Sequence, residues 1–322
     1  MSIEYSAAED PAIQETLAWF RGHKNYTAEF RKAVRIAANE VLDGRRTGRY
    51  SIGQLTKNEK SYIGTKVEIV LQNAFSIPRG KRTAGSKEKP LDYLISGNEV
   101  DCKFTIGANW AIPTEAVGKV CLLVSVDESK EIFSAGILRA LPEFLTGKPN
   151  KDGKKGVSAG AGKKNIEWLC KEADFPKSIL LSLSSEDQEY ICNESQSGQE
   201  RINRLFERVQ QRLIDRDTTD TVAQQLDGMA RAREGKGRAR TVLREQGILI
   251  AGHWKTHKMV LDALKVPVPR MPKNGELVSF RVIEAKPWHK DRPRAFLNDR
   301  EWVLATDDER CEAGPFLPGK KK

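Results

Sequence analysis

The chain has 322 residues and a net charge of +10, from 54 lysine and arginine residues against 44 aspartate and glutamate residues. This length fits two domains of about 100–200 residues each, and 39% hydrophobic residues exclude wholesale disorder. No apolar run reaches the ~18 residues of a transmembrane helix. Five scattered cysteines without a Cys-x-x-Cys pair make a disulfide framework or a Cys/His zinc site improbable. These features predict a reduced, cytoplasmic protein with an anionic partner, nucleic acid first.

Helical patterns dominate the start of the chain. Apolar residues recur at helical spacing over 11–21 and again over 28–41. Thr56 followed three residues later by Glu59 has the form of a capping box, which predicts a helix from there to about residue 75.

After these helices, apolar and polar residues alternate with a period of two. This alternation predicts a hairpin with a Gly97-Asn98 turn, followed by more strands. The four predicted strands cover residues 91–95, 99–105, 119–127 and 132–140. Helices followed by these strands predict a mixed α/β sheet domain.

The C-terminal half has a different pattern. A linker is expected at 169–177, after which the pattern predicts a strand at 179–183 and helices over 198–214, 221–234, 238–246 and 259–264. Further strands are expected at 247–252, 276–284 and 301–305. Three helices followed by strands fit a winged helix-turn-helix module.

The hairpin carries the most informative residues. Because side chains alternate along a strand, Val100 and Cys102 point into a core, and Asp101 and Lys103 point to the opposite, open face. The turn folds Asp92 back beside them. Two close carboxylates favour a hard divalent cation, typically Mg²⁺, and the lysine can orient or deprotonate a water or stabilise developing charge. This combination of two carboxylates and a lysine suits hydrolysis of a phosphodiester.

Other interpretations of these residues remain open. An Asp-x-Lys triplet occurs by chance in a chain this charged, and any surface strand that alternates apolar and charged residues would look alike. Glu68 stands among apolar neighbours on the predicted helix, which is costly unless it is paired or bound to a metal. It could equally be a surface residue paired with Lys66 or Gln72.

Longer runs of sequence resemble the NaeI-type restriction endonucleases. The resemblance keeps one order through both halves of the chain and is carried by Asp43–Tyr50, Gln54-Leu55, Glu59-Lys60, Gly64-Thr65, Val67–Ile69, Val100–Phe104, Glu115–Leu122, Ala135-Gly136, Pro142–Leu145, Arg201–Leu213, Thr221–Gln225, Arg238–Gly247 and Leu264–Arg270. It is far more specific than the Asp-x-Lys triplet alone.

The resemblance implies a fold, an activity and a site. The fold is α/β: a restriction-endonuclease-like mixed sheet domain, PD-(D/E)xK, over 1–168, the linker at 169–177, and a catabolite-activator-like winged helix-turn-helix effector domain over 178–322. The implied enzyme is a Mg²⁺-dependent homodimeric type II endonuclease. It cuts a palindrome in double-stranded DNA, commonly GCCGGC, and is activated by a second copy of the site. The implied catalytic residues are Glu68, Asp92, Asp101 and Lys103. The first three of these would also hold the metal.

Two departures from the family pattern leave the target sequence undetermined. The segment 76–89 is rich in lysine and arginine and longer than usual, and the loop at 106–110 also differs. Loops near the active strand are where a nuclease reads bases.

Two basic clusters are candidates for DNA contact. The first contains Arg45, Arg46, Arg49, Lys57 and Lys60. Its alternative role is to complement a helix C-terminus. The second contains Arg231, Arg233, Lys236, Arg238 and Arg240 around a Gly-Lys-Gly turn. Arg238 and Arg240 lead as base or phosphate contacts, because a recognition helix enters the groove with its N-terminal residues. Nearby acidic residues offer internal salt bridges as the alternative.

Two other functions fit the same residues. One is a monomeric nicking or repair endonuclease on the same scaffold, and the other is a non-catalytic DNA-binding regulator that uses the helix-turn-helix alone. Cleavage of both strands of a palindrome separates a restriction enzyme from the first, and Mg²⁺-dependent cleavage separates it from the second.

Overall fold

The computed structural model describes residues 5–80, 90–310 and 312–319. The chain divides into two compact units, of which the first comprises Met1–Leu42 and Ser51–Lys177 and the second comprises Asp43–Tyr50 and Ser178–Lys322. Residues 81–89, the most basic part of the departing segment, lie outside the described residues. Within the described ranges, no helix is both long and apolar enough to cross a membrane.

The first half of the chain forms five helices and seven strands among its described residues. The helices are α1 Pro11–Arg21, α2 Tyr26–Leu42, α3 Gly44–Thr47, α4 Lys57–Ala74 and α5 Ala161–Lys164. The strands are β1 Tyr93–Ile95, β2 Asn98–Ile106, β3 Ala111–Ile112, β4 Val120–Asp127, β5 Ile132–Arg139, β6 Lys155–Gly156 and β7 Glu167–Asp174. Of these elements, only α3 belongs to the second unit.

Local signals explain where the helices of the first unit begin. The Asp10 side chain caps α1 by accepting hydrogen bonds from the Ala12 and Ile13 amides, with Pro11 in the first turn. Helix α4 starts at the predicted capping box, since Thr56 and Glu59 satisfy each other's backbone amides. The predicted helices at 11–21, 28–41 and 56–75 are therefore confirmed.

A mixed sheet forms the centre of the first unit, with the strand order β1-β2-β4-β5-β7. Strands β2 and β4 run parallel and the other neighbours run antiparallel. The predicted hairpin and the two following strands are confirmed, but the turn is Ser96-Gly97 rather than Gly97-Asn98, because Ile95 pairs with Asn98. The segment predicted as a linker, 169–177, differs: most of it lies in β7, an edge strand of this sheet.

Both faces of this sheet are covered. Helices α1, α2 and α4 pack on one face, over a core that includes Val100 and Cys102. A second apolar cluster, built around Trp110, Leu123 and Phe144, covers the other face. The face that alternation predicted as open is therefore closed, because loop residues outside the regular strands supply a second apolar layer that no strand periodicity reveals.

The second unit has its own elements and cores. Its helices after α3 are α6 Ser185–Cys192, α7 Gly198–Arg208, α8 Arg216–Ala223, α9 Gly228–Arg231, α10 Ala239–Arg244 and α11 Lys255–Ala263. Its strands are β8 Ile214–Asp215, β9 Ile248–Gly252, β10 Glu276–Glu284, β11 Ala295–Leu297 and β12 Arg300–Leu304. Strand β10 pairs antiparallel with β8, β9 and β12, and β11 pairs with β12.

Three predictions for the second unit were wrong in detail. The segment 179–183 forms a 3₁₀ turn rather than a strand. The helix predicted over 198–214 ends at Arg208. The helix predicted over 221–234 is two short helices, α8 and α9, because Gln224 takes a left-handed conformation with φ 50° that ends α8.

The segment Asp43–Tyr50 leaves α2 of the first unit and packs within the second. A side chain at Gly44 would collide with Thr221 of α8, and one at Gly48, where φ is +70°, would collide with Gln224. The glycines of this segment thus permit its backbone to lie against α8.

Candidate active site

The β1–β2 hairpin brings Asp92 and Asp101 together. Tyr93 pairs with Val100 in the antiparallel ladder. Asp92, one residue before Tyr93, therefore lies opposite Asp101, one residue after Val100. The Asp92 Oδ2 atom accepts a hydrogen bond of 2.7 Å from the Cys102 amide. This bond fixes the Asp92 carboxylate at the end of β1, directly beside β2.

Asp101 and Lys103 lie on one face of β2 and form an ion pair. The distance from Lys103 Nζ to Asp101 Oδ2 is 2.7 Å. Asp101 is only 4% exposed, and Lys103 also donates to the Cys102 carbonyl at 3.3 Å. The lysine is therefore held by its own strand against the aspartate, as strand alternation predicted.

Helix α4 adds Glu68 to this pair. The buried Tyr93 side chain donates a 2.7 Å hydrogen bond from its hydroxyl to the Glu68 carbonyl, which ties this turn of α4 to β1. Burial, and next the charge of Asp92, raise the pKa of Glu68, while the charges of Lys103 and Arg79 lower it. The four predicted catalytic residues thus lie within electrostatic reach of one another.

The cluster carries an excess of negative charge. Burial, with further contributions from the charges of Asp92 and Glu115, raises the pKa of Asp101 to about 6 even though Lys103 opposes the shift. Burial alone would lower the pKa of Lys103, but the charge and hydrogen bond of Asp101 outweigh it and raise that pKa. Carboxylates that repel each other in a partly buried site favour a bound cation.

The three carboxylates predicted to hold a metal are not arranged around one common point in the structure. Within residues 5–80, 90–310 and 312–319, no three His, Cys, Asp or Glu side chains come close enough to hold a metal ion together. Asp92 directs one carboxylate oxygen to the Cys102 amide. Asp101 Oδ2, however, is buried and accepts no hydrogen bond from a described residue apart from its ion pair with Lys103. Mg²⁺ usually takes one or two carboxylates and completes its shell with water and substrate phosphate, so these residues fit it.

Two neighbours of the cluster were not among the predicted site residues. Glu115 lies in the turn after β3 and acts on the charge of Asp101. Arg79 acts on Glu68. The resemblance included Glu115 in a matching run, and a Pro-Arg-Gly triplet marks Arg79, but neither signal assigns a role.

Comparison with known proteins decides the family. A family model described as restriction endonuclease NaeI matches residues 21–313. The type II restriction enzyme NaeI of Lentzea aerocolonigenes is 35% identical over 293 residues, which is 89% of this chain and 88% of that enzyme. The chain belongs to the NaeI restriction endonuclease family. It is therefore a type II site-specific deoxyribonuclease, a DNA-binding hydrolase of a restriction system.

The first basic cluster of this NaeI-family chain is divided between the two units. Lys57 and Lys60 lie at the start of α4 in the first unit, whereas Arg45, Arg46 and Arg49 lie in the second. Arg46 is exposed and pairs with Asp43 at 2.9 Å. Sequence proximity suggested a single cluster, but the chain enters the second unit at Asp43 and leaves it at Tyr50.

The second basic cluster also separates by orientation. Arg233, Lys236 and Arg238 are exposed around the turn before α10. Arg231 pairs with Asp227 at 3.0 Å. Arg240 is directed inward, where its Nε donates to the Ile250 carbonyl at 2.8 Å. Its burial lowers the pKa of its guanidinium. Arg240 therefore links α10 to β9 in this NaeI-family fold, a role unlike the predicted contact with DNA.

Proposed function

We propose that this chain is a Mg²⁺-dependent homodimeric restriction endonuclease that cuts both strands of a palindrome, GCCGGC as the first candidate. The observation that carries this proposal is the convergence of Glu68, Asp92, Asp101 and Lys103 at one end of the β1–β2 hairpin. We further propose that the second unit is a winged helix-turn-helix module and binds a second copy of the site as an activator.

The carboxylates of Asp92 and Asp101, with Glu68 beside them, would hold the metal. When bound, Mg²⁺ supplies charge stabilisation at the phosphate and lowers the pKa of a coordinated water. The excess negative charge of the cluster, together with a buried Asp101 Oδ2 whose one contact among the described residues is Lys103, supports this assignment.

Lys103 is proposed to orient the attacking water and to stabilise charge on the phosphate. Its ammonium is ion-paired with Asp101, so it is a hydrogen-bond donor rather than a base. A water oxygen forms the new bond to phosphorus and releases a proton to solvent as the bond to the 3′ oxygen breaks. The leaving oxygen takes up a proton, and the products are 5′-phosphate and 3′-hydroxyl ends.

The second unit supports a DNA-binding role through helices α8, α9 and α10, the turn before α10 and the sheet that follows. Arg233, Lys236 and Arg238 project from that turn to solvent. Exposed cations at the start of a recognition helix are placed to contact phosphate or base edges. The Arg45–Arg49 segment packs within this unit as well.

The alternative functions differ in their products. A nicking or repair enzyme would open one strand only, and family membership already decides against a regulator without catalysis. Digestion of a supercoiled plasmid that carries several GCCGGC sites, with and without Mg²⁺, separates these outcomes. We expect defined linear fragments only with Mg²⁺. Nicked circles as the final product would contradict double-strand cleavage, and fragments with ends at another sequence would change the assigned target.

Activation by a second site has its own test. The triple variant Arg233→Ala, Lys236→Ala, Arg238→Ala removes three exposed cations of the second unit. We expect it to lose stimulation by an added duplex oligonucleotide while basal cleavage remains. The slope of log binding constant against log salt concentration should become less steep by about 0.9 for each phosphate contact removed.

A matched control keeps the change in net charge but moves it elsewhere. Lys255→Ala, Lys258→Ala, Lys273→Ala removes three cations from other parts of the second unit. This control should keep both the stimulation and the salt slope. Equal loss in the two triple variants would show that net charge, rather than this surface, accounts for the effect.

A further inference from the structure

A short backbone segment borders the active site on the free edge of β1. The Leu94 amide donates to the Pro78 carbonyl at 2.9 Å, and the Gly80 amide donates to the Asp92 carbonyl at 3.3 Å. A side chain at Gly80 would collide with the carbonyl oxygen of Leu91, so only glycine permits this approach. Residues 78–80 thus extend the sheet by a few residues, alongside Asp92.

This pairing sets the position of Arg79. Arg79 forms an antiparallel bridge with Tyr93, and residues directly opposite in such a ladder share one face. On that face the Tyr93 hydroxyl reaches the Glu68 carbonyl. The Arg79 Nε donates to Gln72 Oε1 at 3.4 Å, and Gln72 lies one helical turn after Glu68. The guanidinium therefore lies along α4, on the flank of the acidic cluster.

Charge balance shows what Arg79 can contribute. Lys103 is half-buried and already bound to Asp101 and to the Cys102 carbonyl. Arg79 is exposed, acts electrostatically on Glu68, and forms no ion pair with the residues that the structure describes. A DNA phosphate approaching three carboxylates is repelled unless a cation meets it, and a guanidinium presents two parallel N–H donors to phosphate oxygens.

We propose that Arg79 donates hydrogen bonds to a non-bridging oxygen of the scissile phosphate and that Gln72 positions its guanidinium. This inference rests on the proposed function and adds a catalytic residue to it. The contact would strengthen as negative charge develops on the phosphate during water attack, and so would act mainly on the rate of cleavage.

The test compares Arg79→Ala and Arg79→Lys with the wild type on a duplex that the wild type cuts. We expect Arg79→Ala to lower kcat about 10²-fold and to reduce the salt slope of DNA binding, measured in EDTA, by about 0.9. Arg79→Lys should keep the slope and recover only part of the rate, because an ammonium cannot bind in a bidentate way. Gln72→Ala should lower kcat with an unchanged salt slope.

A neutral methylphosphonate at the scissile position identifies the contacted phosphate. It should weaken DNA binding by the wild type by the same factor as Arg79→Ala does. Combining the two changes should weaken binding no further. Arg31→Ala, which removes an exposed arginine paired with Asp174, is the control and should match the wild type in kcat and slope.

Two outcomes overturn the inference in distinguishable ways. If the wild type shows no Mg²⁺-dependent cleavage, the proposed function fails and this inference fails with it. Suppose instead that the wild type cuts, but Arg79→Ala keeps the wild-type kcat and salt slope, or weakens DNA binding in full addition to the methylphosphonate. Arg79 then does not contact the scissile phosphate, and the proposed function stands.

Discussion

Replacing Asp101 by asparagine is expected to lower the rate of DNA cleavage about 10³-fold or more. The change removes one of the carboxylates proposed to hold the metal and also the ionic partner of Lys103. Binding of uncut duplex in EDTA should be little changed, because phosphate contacts from cations supply most of the affinity. Single-turnover cleavage of a labelled duplex measures the rate directly.

The same variant should have nearly the stability of the wild type. Burial raises the pKa of Asp101 to about 6, so the folded protein resists the ionised form that prevails at neutral pH. A carboxyl whose pKa is raised on folding binds more protons in the folded state, and its contribution to stability falls as pH rises through that pKa. Asparagine removes this cost but leaves the partly buried Lys103 without its ionic partner, so the Tm at pH 7.5 should stay close to that of the wild type.

Asp174→Asn is the matched control for the catalytic effect. Asp174 ends β7, at the opposite edge of the same sheet, and its ion pair with Arg31 is exposed. It should cut at the wild-type rate. Cleavage by Asp101→Asn within tenfold of the wild-type rate would show that the active site has been misplaced.

The largest expected effect on stability is at Asp10. Its carboxylate is buried, is bound by Arg139 through Nη2 at 2.7 Å, accepts from the Tyr5 hydroxyl at 3.0 Å and caps α1. Asp10→Ala should lower the free energy of unfolding of the first unit by about 3–5 kcal/mol, because it leaves the Arg139 charge partly buried without its partner. Urea denaturation at pH 7, followed by circular dichroism, measures this loss.

The loss at Asp10 should depend on pH with a definite sign. Although burial would raise it, hydrogen bonds from Arg139 and Tyr5 hold the pKa of Asp10 below its usual value of 3.8. A carboxyl with a lowered pKa contributes stability above its unfolded pKa and loses it as pH falls through the folded value. The difference in the free energy of unfolding between wild type and Asp10→Ala should therefore be largest at pH 7 and become smaller below about pH 4. Asp174→Ala, in an exposed pair, should cost less than about 1 kcal/mol at any pH.

The parts of the fold that depend on neighbours in sequence were predictable. Capping at Thr56 and Glu59, the apolar spacing of α1 and the tight turn of the β1–β2 hairpin act within a few residues, although the turn falls at Ser96-Gly97, one position before the predicted pair. Capping and turn energies are set locally, and apolar spacing marks the helix face that packing will bury, so pattern and propensity suffice. The same holds for the adjacency of Asp101 and Lys103, which strand alternation alone requires.

Features that depend on distant partners were not predictable. The second apolar layer of the first unit includes loop residues such as Trp110 and Phe144, and no periodicity marks them. Arg238 and Arg240 are two positions apart and chemically alike, yet one is exposed and the other is directed to Ile250. Which of them meets solvent depends on where β9 packs.

By itself, the sequence determined the class of this protein: its α/β composition, its hairpin with an Asp–Asp–x–Lys arrangement, and a family pattern that the comparisons confirmed. Only the tertiary structure decided that the basic segment Asp43–Tyr50 belongs to the second unit, that Asp101 is buried, and that Arg79 lies beside Glu68. The physical reason is range. Hydrogen-bond periodicity and capping act between near neighbours, whereas desolvation and electrostatic coupling depend on every atom that packing brings close.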